Sequence, residues 1–193
     1  MDETRRLFIK QVARGGLLVV SYPIVSSDFL YADVDPTPEQ TAGPYYIEGA
    51  PVNDQLREPG AEGFPLFVSG QVISTDETPV AKAKVEIWHA DYHGQYDLNG
   101  FRYRAQLPIN EEGKYKFSTV LPGNYGGRPK HIHYIIRAPR HKTLITQLYF
   151  ENDPFFEGNP ERYLNKDPLV QYRELIRPVH QSSVYFRICL ERS

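Results

Sequence analysis

Short runs of β-branched and aromatic residues, separated by turn-forming residues, limit what this 193-residue chain can fold into more than any other feature. Such side chains favour strands because they pack well on a pleated surface, whereas Gly, Pro, Asn and Asp interrupt a strand. No long segment has apolar residues at helical spacing, although Glu161–Ile176 has room for a turn or two of helix. The pattern predicts an all-β fold for residues 33–193, a single antiparallel β-sandwich with long loops. We place its strands at Leu66–Ser74, Lys82–His89, Lys114–Thr119, His131–Ala138, Thr143–Phe150 and Ser183–Leu190.

Composition and charge exclude several classes of protein. Hydrophobic residues make up 40% of the chain and aromatic residues 13%, which is sufficient for one packed domain and argues against disorder. The formal charge is −2 and no stretch concentrates Lys and Arg, so nucleic acids and anionic membranes are poor candidate partners. Cys189 is the only cysteine, which excludes an internal disulfide and a zinc site built on cysteines. We expect it to be a small buried residue in the last strand.

Residues 1–32 have the features of an export signal. A twin arginine lies within Thr4–Lys10, an apolar stretch follows over Gly16–Val20, and Leu30–Ala32 is an imperfect cleavage site. This order resembles the twin-arginine signal. The apolar stretch is too short to span a bilayer. We therefore predict a signal peptide over residues 1–32, a periplasmic or extracellular location, and no membrane span in the mature protein. The alternative is an amphipathic helix whose paired arginines have no such role.

The strongest local signal for chemistry is His131-Ile132-His133. Residues two apart on a strand point to the same face, so both imidazoles could reach one metal ion while Ile132 packs on the other side. By itself this spacing also suits two hydrogen-bonded or surface histidines. Just upstream, glycines flank Tyr125 in a loop and allow its phenol to turn toward the histidines. A metal cation would take the deprotonated phenol oxygen as a ligand and lower its pKa below the ordinary value of about 10.

Several short segments resemble one known family, the intradiol ring-cleavage dioxygenases. No segment is specific alone, but they stand in the family's order, and both histidines and two tyrosines occupy matching positions. The resemblance runs from about Thr41 to Phe150 and weakens beyond it. Its segments are Thr41–Tyr46, Val68–Val72, Pro79–Trp88, Gly94–Tyr96, Gly113–Phe117, Pro122–Tyr125, Arg128–His133 and Leu144–Phe150.

The resemblance implies a mononuclear iron(III) centre. Tyr96 matches the family's first tyrosine ligand because it stands eight residues after Trp88 within a Gly-x-Tyr sequence. The other implied ligands are Tyr125, His131 and His133, with Tyr125 and His133 as the axial pair. Two hard, anionic phenolates would favour ferric over ferrous iron, so that the metal activates the organic substrate.

The implied activity is oxygen-dependent cleavage of a catechol-type aromatic between its hydroxyl-bearing carbons, with both atoms of O2 entering a muconate-type diacid. The catechol would displace Tyr125, which can carry protons away, and Arg128 would stabilise charge developing on the ring. Gln147 would orient the ring and oxygen. The plainer interpretations are a salt bridge for Arg128 and a backbone hydrogen bond for Gln147. Tyr46 and Trp88 are candidate residues of the substrate pocket.

Two segments depart from the larger family members. Only Gly126 and Gly127 separate Tyr125 from Arg128, as in a compact, exported branch of the family, which should leave the pocket more open. Asp91–His93 is bulkier than expected; we expect Tyr92 and His93 to lie at the surface, and the alternative is that one of them lines the pocket. The remaining histidines (His89, His141 and His180) have no matched role and are predicted to be structural or solvated.

Other functions remain open at the level of sequence. The segment Pro79–Ile87 also resembles transthyretin-like sandwich modules, which bind ligands without catalysis, but such a module has no reason to hold two tyrosines and two histidines together. A zinc or copper enzyme on the same sandwich is a third possibility. Two tyrosinate ligands argue against zinc hydrolysis. A monomer, a homo-oligomer and one subunit of a mixed assembly all agree with the sequence.

Overall fold

The computed structural model describes residues 34–150, 153–156 and 182–193, all of which belong to one compact unit. The predicted signal peptide, the stretch Glu161–Ile176 and His180 lie outside these residues. Within the described part of the chain, no helix has the length and apolarity needed to cross a membrane. A short 3₁₀ turn occupies Pro154–Phe156. The strands are β1 (Pro65–Ser74), β2 (Lys84–Trp88), β3 (Arg104–Leu107), β4 (Lys114–Val120), β5 (His131–Arg137), β6 (Leu144–Tyr149) and β7 (Ser182–Leu190).

The strands form two sheets, and this confirms the predicted all-β class. One sheet has the order β4-β1-β7 and the other the order β3-β2-β5-β6. The strand pairs are antiparallel as expected, except that β1 and β7 run parallel with Val68 opposite Val184. Parallel neighbours require a long connection rather than a hairpin, and five other strands separate β1 from β7 along the chain.

All six predicted strands are present with small shifts at their ends, but β3 was missed. Its four residues begin with a charged side chain and contain no β-branched residue, so local propensity does not favour a strand. The segment is extended because β2 supplies its hydrogen-bonding partners, with Trp88 opposite Arg104 and Val85 opposite Leu107. Tertiary pairing overrides weak local preference at this edge.

The core lies between the two sheets and follows the alternation of each strand. On β5, Ile132, Tyr134 and Ile136 are fully buried in it together with residues of β1, β2, β4 and β7. Cys189 is buried in β7, as predicted, and burial raises the pKa of its thiol to about 11. This thiol is therefore protonated at neutral pH and unreactive.

The N-terminal segment (residues 34–56) runs along the edges and across the other face of the β3-β2-β5-β6 sheet. Its backbone is tied to the sheet by hydrogen bonds from Gln40 N to Ile145 O (2.7 Å) and from Gln106 N to Pro51 O (2.9 Å). The Thr146 hydroxyl also donates to Pro38 O at 2.9 Å. The segment thus covers part of this face, which carries the alternate residues of β5, His131 and His133, while Tyr45 remains half-buried.

Candidate metal centre

His131 and His133 lie on one face of β5, as predicted, and Ile132 lies in the core on the other face. Both imidazoles are buried, with 4% and 2% of their surface exposed. Burial lowers the pKa of His131 to about 4 and lowers that of His133 well below its ordinary value. Both rings are therefore neutral at pH 7, and each has a nitrogen lone pair available for a cation.

The phenol of Tyr96 meets both imidazoles. Its oxygen lies 3.3 Å from Nε2 of His131 and 3.2 Å from Nε2 of His133. Two ligand atoms about 2 Å from one cation, with an angle of about 100° between them, are about 3 Å apart. The Tyr96 oxygen thus lies, from each imidazole nitrogen, at the separation expected for two ligands of a single metal ion. Burial raises the pKa of Tyr96, while the positive charges of Arg128 and Arg104 act in the opposite direction.

Different contacts orient the two histidines. Nδ1 of His131 donates to the Pro129 carbonyl at 2.7 Å, which leaves Nε2 as the free acceptor. Nδ1 of His133 is buried and makes no hydrogen bond of normal geometry, although the Thr41 carbonyl lies near enough to favour its protonation. The ring of His133 is instead stacked on the indole of Trp88, with centroids 4.7 Å apart and planes 2° apart.

Two glycines allow the loops that carry the tyrosines to pack backbone against backbone. A side chain at Gly94, where φ is +79°, would overlap the Asn124 carbonyl, and one at Gly123 would overlap the backbone nitrogen of Gly94. The Gly123 N–H donates to Asp91 O at 2.8 Å. This close approach brings the rings of Tyr96 and Tyr125 to a centroid distance of 5.7 Å, nearly perpendicular at 88°.

Tyr125 shares a short hydrogen bond with Tyr45, hydroxyl to hydroxyl. The Tyr45 ring also stacks on Tyr96, with centroids 4.3 Å apart and planes 16° apart. The structure therefore groups the donor atoms of three predicted ligands and places the fourth, Tyr125, beside them in contact with Tyr45. Sequence reasoning chose Tyr46 from the Tyr45-Tyr46 pair and missed Tyr45. Tyr45 lies in a turn, where no strand periodicity indicates which way a side chain points, so its position required the tertiary structure.

Arg128 and Gln147 lie next to this group. Nη2 of Arg128 donates to the Gln147 carbonyl oxygen at 2.8 Å and contacts the Tyr149 hydroxyl at 3.1 Å. Gln147 is opposite His133 in the β5–β6 pair, and its Nε2 donates to Thr41 O at 2.5 Å. Gln147 therefore makes the hydrogen bond to backbone that was the alternative to a catalytic role. The same side chain also accepts a hydrogen bond from Arg128.

The loop between Tyr125 and Arg128 is a tight turn anchored by Asp153. Gly126 and Gly127 both have positive φ, and Arg128 N donates to Tyr125 O at 2.8 Å. The buried Asp153 carboxylate accepts from Asn124 Nδ2 at 3.1 Å and from Lys130 N at 3.0 Å. Asp153 thus holds both ends of the loop, a role that no local motif indicated.

The two candidate pocket residues pack behind the imidazoles. Trp88 is 1% exposed and stacks on His133, while the Tyr46 ring packs against Trp88 with centroids 5.0 Å apart. The Tyr46 hydroxyl donates to Glu86 at 3.4 Å. Trp88 therefore supports a candidate ligand. His89 is structural as expected, since its nitrogens bond to Ala90 O and Thr119 Oγ1, each at 2.7 Å.

The donor set limits the metals that suit this site. Across residues 34–150, 153–156 and 182–193, no group of three His, Cys, Asp or Glu side chains could hold a metal ion. The groups that lie beside the two imidazoles at this face are phenols. Buried neutral imidazoles and anionic phenolates fit a hard, highly charged cation such as Fe(III).

Comparison with known proteins identifies the family of this chain. The Dioxygenase family model (Dioxygenase_C) matches residues 41–191, beyond the Phe150 limit of the sequence resemblance. Catechol 1,2-dioxygenase 2 of Acinetobacter lwoffii is 34% identical over 145 residues, which cover 62% of this chain and 53% of that protein. The 6-chlorohydroxyquinol 1,2-dioxygenase of Cupriavidus pinatubonensis is 32% identical over 142 residues, covering 61% of this chain and 51% of that protein. The chain spans about half the length of these curated relatives.

Solved structures show the same fold over a larger share of the chain. The dioxygenase domain of a dioxygenase carbohydrate-binding protein fusion from Streptomyces sp. SirexAA-E is 32% identical with a TM-score of 0.72, covering 82% of this chain and all of that domain (100%). An intradiol ring-cleavage dioxygenase from Tetranychus urticae matches in fold with a TM-score of 0.68 at 22% identity, covering 83% of this chain and 98% of that one. The chain belongs to the intradiol ring-cleavage dioxygenase family.

Proposed function

We propose that this protein is a non-haem iron(III) dioxygenase that cleaves a catechol-type aromatic between its two hydroxyl-bearing carbons, forming a muconate-type diacid with both atoms of O2. The observation that carries the proposal is the approach of the Tyr96 oxygen to Nε2 of both His131 and His133, at 3.3 and 3.2 Å. Family membership supports the reaction class, and the relatives named for catechol and chlorohydroxyquinol support the substrate class.

Tyr96, Tyr125, His131 and His133 are the residues that would hold the iron. When bound, ferric iron would act as a Lewis acid for both catechol oxygens and as the redox-active centre of the reaction. The half-buried phenol of Tyr96 must lose its proton to become a ligand. Its raised pKa in the metal-free protein means that a strong cation has to replace that proton.

The other residues of the site handle protons and charge. The hydrogen bond between Tyr125 and Tyr45 gives a proton taken from the substrate a route from the Tyr125 hydroxyl toward the N-terminal segment. Arg128 is held by Gln147, so its guanidinium is fixed before substrate binds and can stabilise negative charge that develops on the ring. The N-terminal segment contributes Tyr45, whose ring stacks on Tyr96 and shields one face of that phenol.

Two alternatives make different predictions. A transthyretin-like binding module would have no use for a half-buried phenol placed against two imidazoles, and it would hold no stoichiometric metal. A zinc enzyme would be colourless, because Zn(II) has a filled d shell. Colour and metal content therefore separate these functions.

The first experiment measures metal content, visible absorption and product. Protein purified from iron-replete cells should contain about one iron per chain and be burgundy to red-brown, because phenolate-to-iron(III) charge transfer absorbs visible light. With catechol and ¹⁸O2, it should form a colourless cis,cis-muconate with one labelled oxygen in each new carboxylate. Tyr96→Phe should lose iron and colour, whereas Tyr185→Phe, on an exposed tyrosine of β7, should retain both. A colourless zinc protein with full activity, or a yellow semialdehyde product, would contradict the proposal.

We further propose that residues 1–32 direct export through the twin-arginine route. The support is the ordered pattern of paired arginines, apolar stretch and cleavage site. That route carries folded proteins, which suits an enzyme that acquires its metal in the cytoplasm.

A further inference from the structure

Arg104 is a buried cation beside the candidate metal centre. It is the first residue of β3, and 2% of its surface is exposed. Nη1 donates to the Tyr45 carbonyl at 2.5 Å, and Nη2 donates to the Asp97 carbonyl at 2.7 Å. Nε is buried and has no hydrogen-bond partner among the residues that the structure describes. The guanidinium is thus held by two neutral carbonyl groups.

No carboxylate neutralises Arg104 at contact distance. Among the described residues, the ion pairs within 4.0 Å do not include it. The Asp97 carboxylate is nearby but accepts hydrogen bonds from the backbone N–H groups of Asn99, Gly100 and Arg102. Burial lowers the pKa of Arg104, and Asp97 and Tyr96 oppose that effect. A buried charge is costly unless an opposite charge offsets it, so a second anion is expected here.

The two carbonyl groups that Arg104 holds belong to the neighbours of Tyr96. Asp97 follows Tyr96 in the chain, and Tyr45 stacks on the Tyr96 ring at 4.3 Å. Arg104 therefore fixes the backbone on one side of this phenol and the aromatic ring that covers it. Its positive charge lies close enough to Tyr96 to favour the ionised phenol.

We propose that Arg104 is a positioning residue of the iron centre: it clamps Tyr45 and Asp97 around Tyr96, and its permanent charge balances the anion that Tyr96 becomes on binding iron. The inference rests on the proposed function. In this inference, the Arg104 cation helps the site to retain iron and sets the energy of the charge-transfer band, whereas Arg128 acts on the substrate.

Two substitutions at Arg104 separate its charge from its clamp. Arg104→Met removes the charge at similar length, and Arg104→Lys retains the charge but loses the two-pronged donor geometry. Arg102→Met is the matched control, because Arg102 is two residues away, is partly exposed, and lies over the Tyr103 ring at 4.9 Å. Folding of each variant is checked by the thermal transition of the metal-free protein.

The measurements are iron affinity, by competition with a chelator, and the position of the visible charge-transfer band. Arg104→Met should weaken iron binding by about ten- to a hundredfold, as expected for a residue that supports a metal ligand. Its band should move to longer wavelength, because removing the cation raises the energy of the phenolate donor electrons. Arg104→Lys should keep the band near its original position with an intermediate affinity, and Arg102→Met should change neither quantity.

An Arg104→Met protein with unchanged affinity and band position would overturn the inference. If Arg104→Met does not fold, the Arg104→Lys variant tests the inference. This variant keeps the positive charge, so a large shift of its charge-transfer band in a folded protein would contradict the charge-balancing role. A wild-type protein without iron colour would overturn the proposed function instead, so the two failures are distinguishable.

Discussion

His131 and His133 are adjacent positions on one strand face, yet they are held by different physical contacts. A hydrogen bond to the Pro129 carbonyl fixes the tautomer and direction of His131. The stack on Trp88 fixes the plane of the His133 ring. The stack does not specify which nitrogen carries the proton, and the Thr41 backbone lies near enough to favour protonation of the ring.

Arg128 offers a test of catalysis at a single residue. We expect Arg128→Ala to keep the iron colour and to bind catechol, because Arg128 is not among the candidate ligands. Turnover should fall by about a hundredfold or more, since the guanidinium held by Gln147 would stabilise charge only as the ring reacts. The measurement is kcat and KM for catechol cleavage, with iron content determined for each preparation.

The split between the two kinetic constants identifies the role of Arg128. A loss confined to KM, with kcat unchanged, would show that Arg128 only positions the substrate. Arg140→Ala is a suitable control, because Arg140 is an exposed arginine in the turn after β5.

At the scale of structural elements, the geometry of the candidate metal centre depends on how closely two loops approach. The loop before Tyr96 and the loop before Tyr125 meet at Gly94 and Gly123, where neither position has room for a side chain. Strand β5 supplies both histidines from a rigid scaffold, whereas the tyrosines come from loops whose separation is set by this contact.

Gly94→Ala should therefore damage the metal centre without unfolding the sandwich. Its new methyl group would overlap the Asn124 carbonyl and push the loops apart, so we expect iron content and visible colour to fall substantially. Gly60→Ala is a matched control, because Gly60 has φ of +78° against +79° for Gly94 but no atom within 4 Å of the added group. Both substitutions carry similar backbone strain of about 1 kcal/mol. Equal iron loss in both variants would attribute the effect to strain and not to loop separation.

At the scale of the whole molecule, buried neutral histidines couple folding to pH. Burial lowers the pKa of His89 and of His131 to about 4 in the folded, metal-free protein, from about 6.5 in the unfolded chain. Between these values the unfolded state binds more protons, so stability is full above about pH 6.5 and is lost as the pH falls toward about 4. Each group contributes on the order of 3 kcal/mol to this loss.

Urea unfolding of metal-free protein between pH 7 and pH 4 measures this dependence. His89→Gln, at a residue outside the candidate ligands, should have a shallower loss of stability over that range than the wild type. Below about pH 4 the histidine contribution should level off, and carboxylates with lowered pKa values, such as Asp97, become the main source of further loss. A His89→Gln protein with the wild-type pH dependence would show that His89 is not the titrating group.

The predicted export signal is tested on the whole molecule, because the twin-arginine route carries proteins that have already folded. Changing Arg5 and Arg6 to lysine should leave a folded, uncleaved precursor in the cytoplasm, since lysine is a poor substitute in this signal. Cell fractionation followed by immunoblotting measures the outcome. Full periplasmic recovery of the double lysine variant would contradict the predicted signal.

The sequence by itself determined the features that depend on local spacing. Runs of β-branched and aromatic residues between turn-forming residues predicted six of the strands, and the His-x-His spacing predicted that both imidazoles share a face. Short segments in a family order were sufficient to identify the family that the comparisons show. These features depend on local spacing or residue order, and both can be read along the chain without knowing what packs against it.

Only the tertiary structure decided which distant groups meet. The extended conformation of β3, the parallel pairing of β1 with β7, the contact of Tyr45 with Tyr125, and the burial of Arg104 each depend on a partner far away in the sequence. A hydrogen bond or a buried charge is specified by the position of both groups. Residue spacing constrains only groups that are near in sequence. These contacts are therefore defined only when the packed sheets bring their distant partners together.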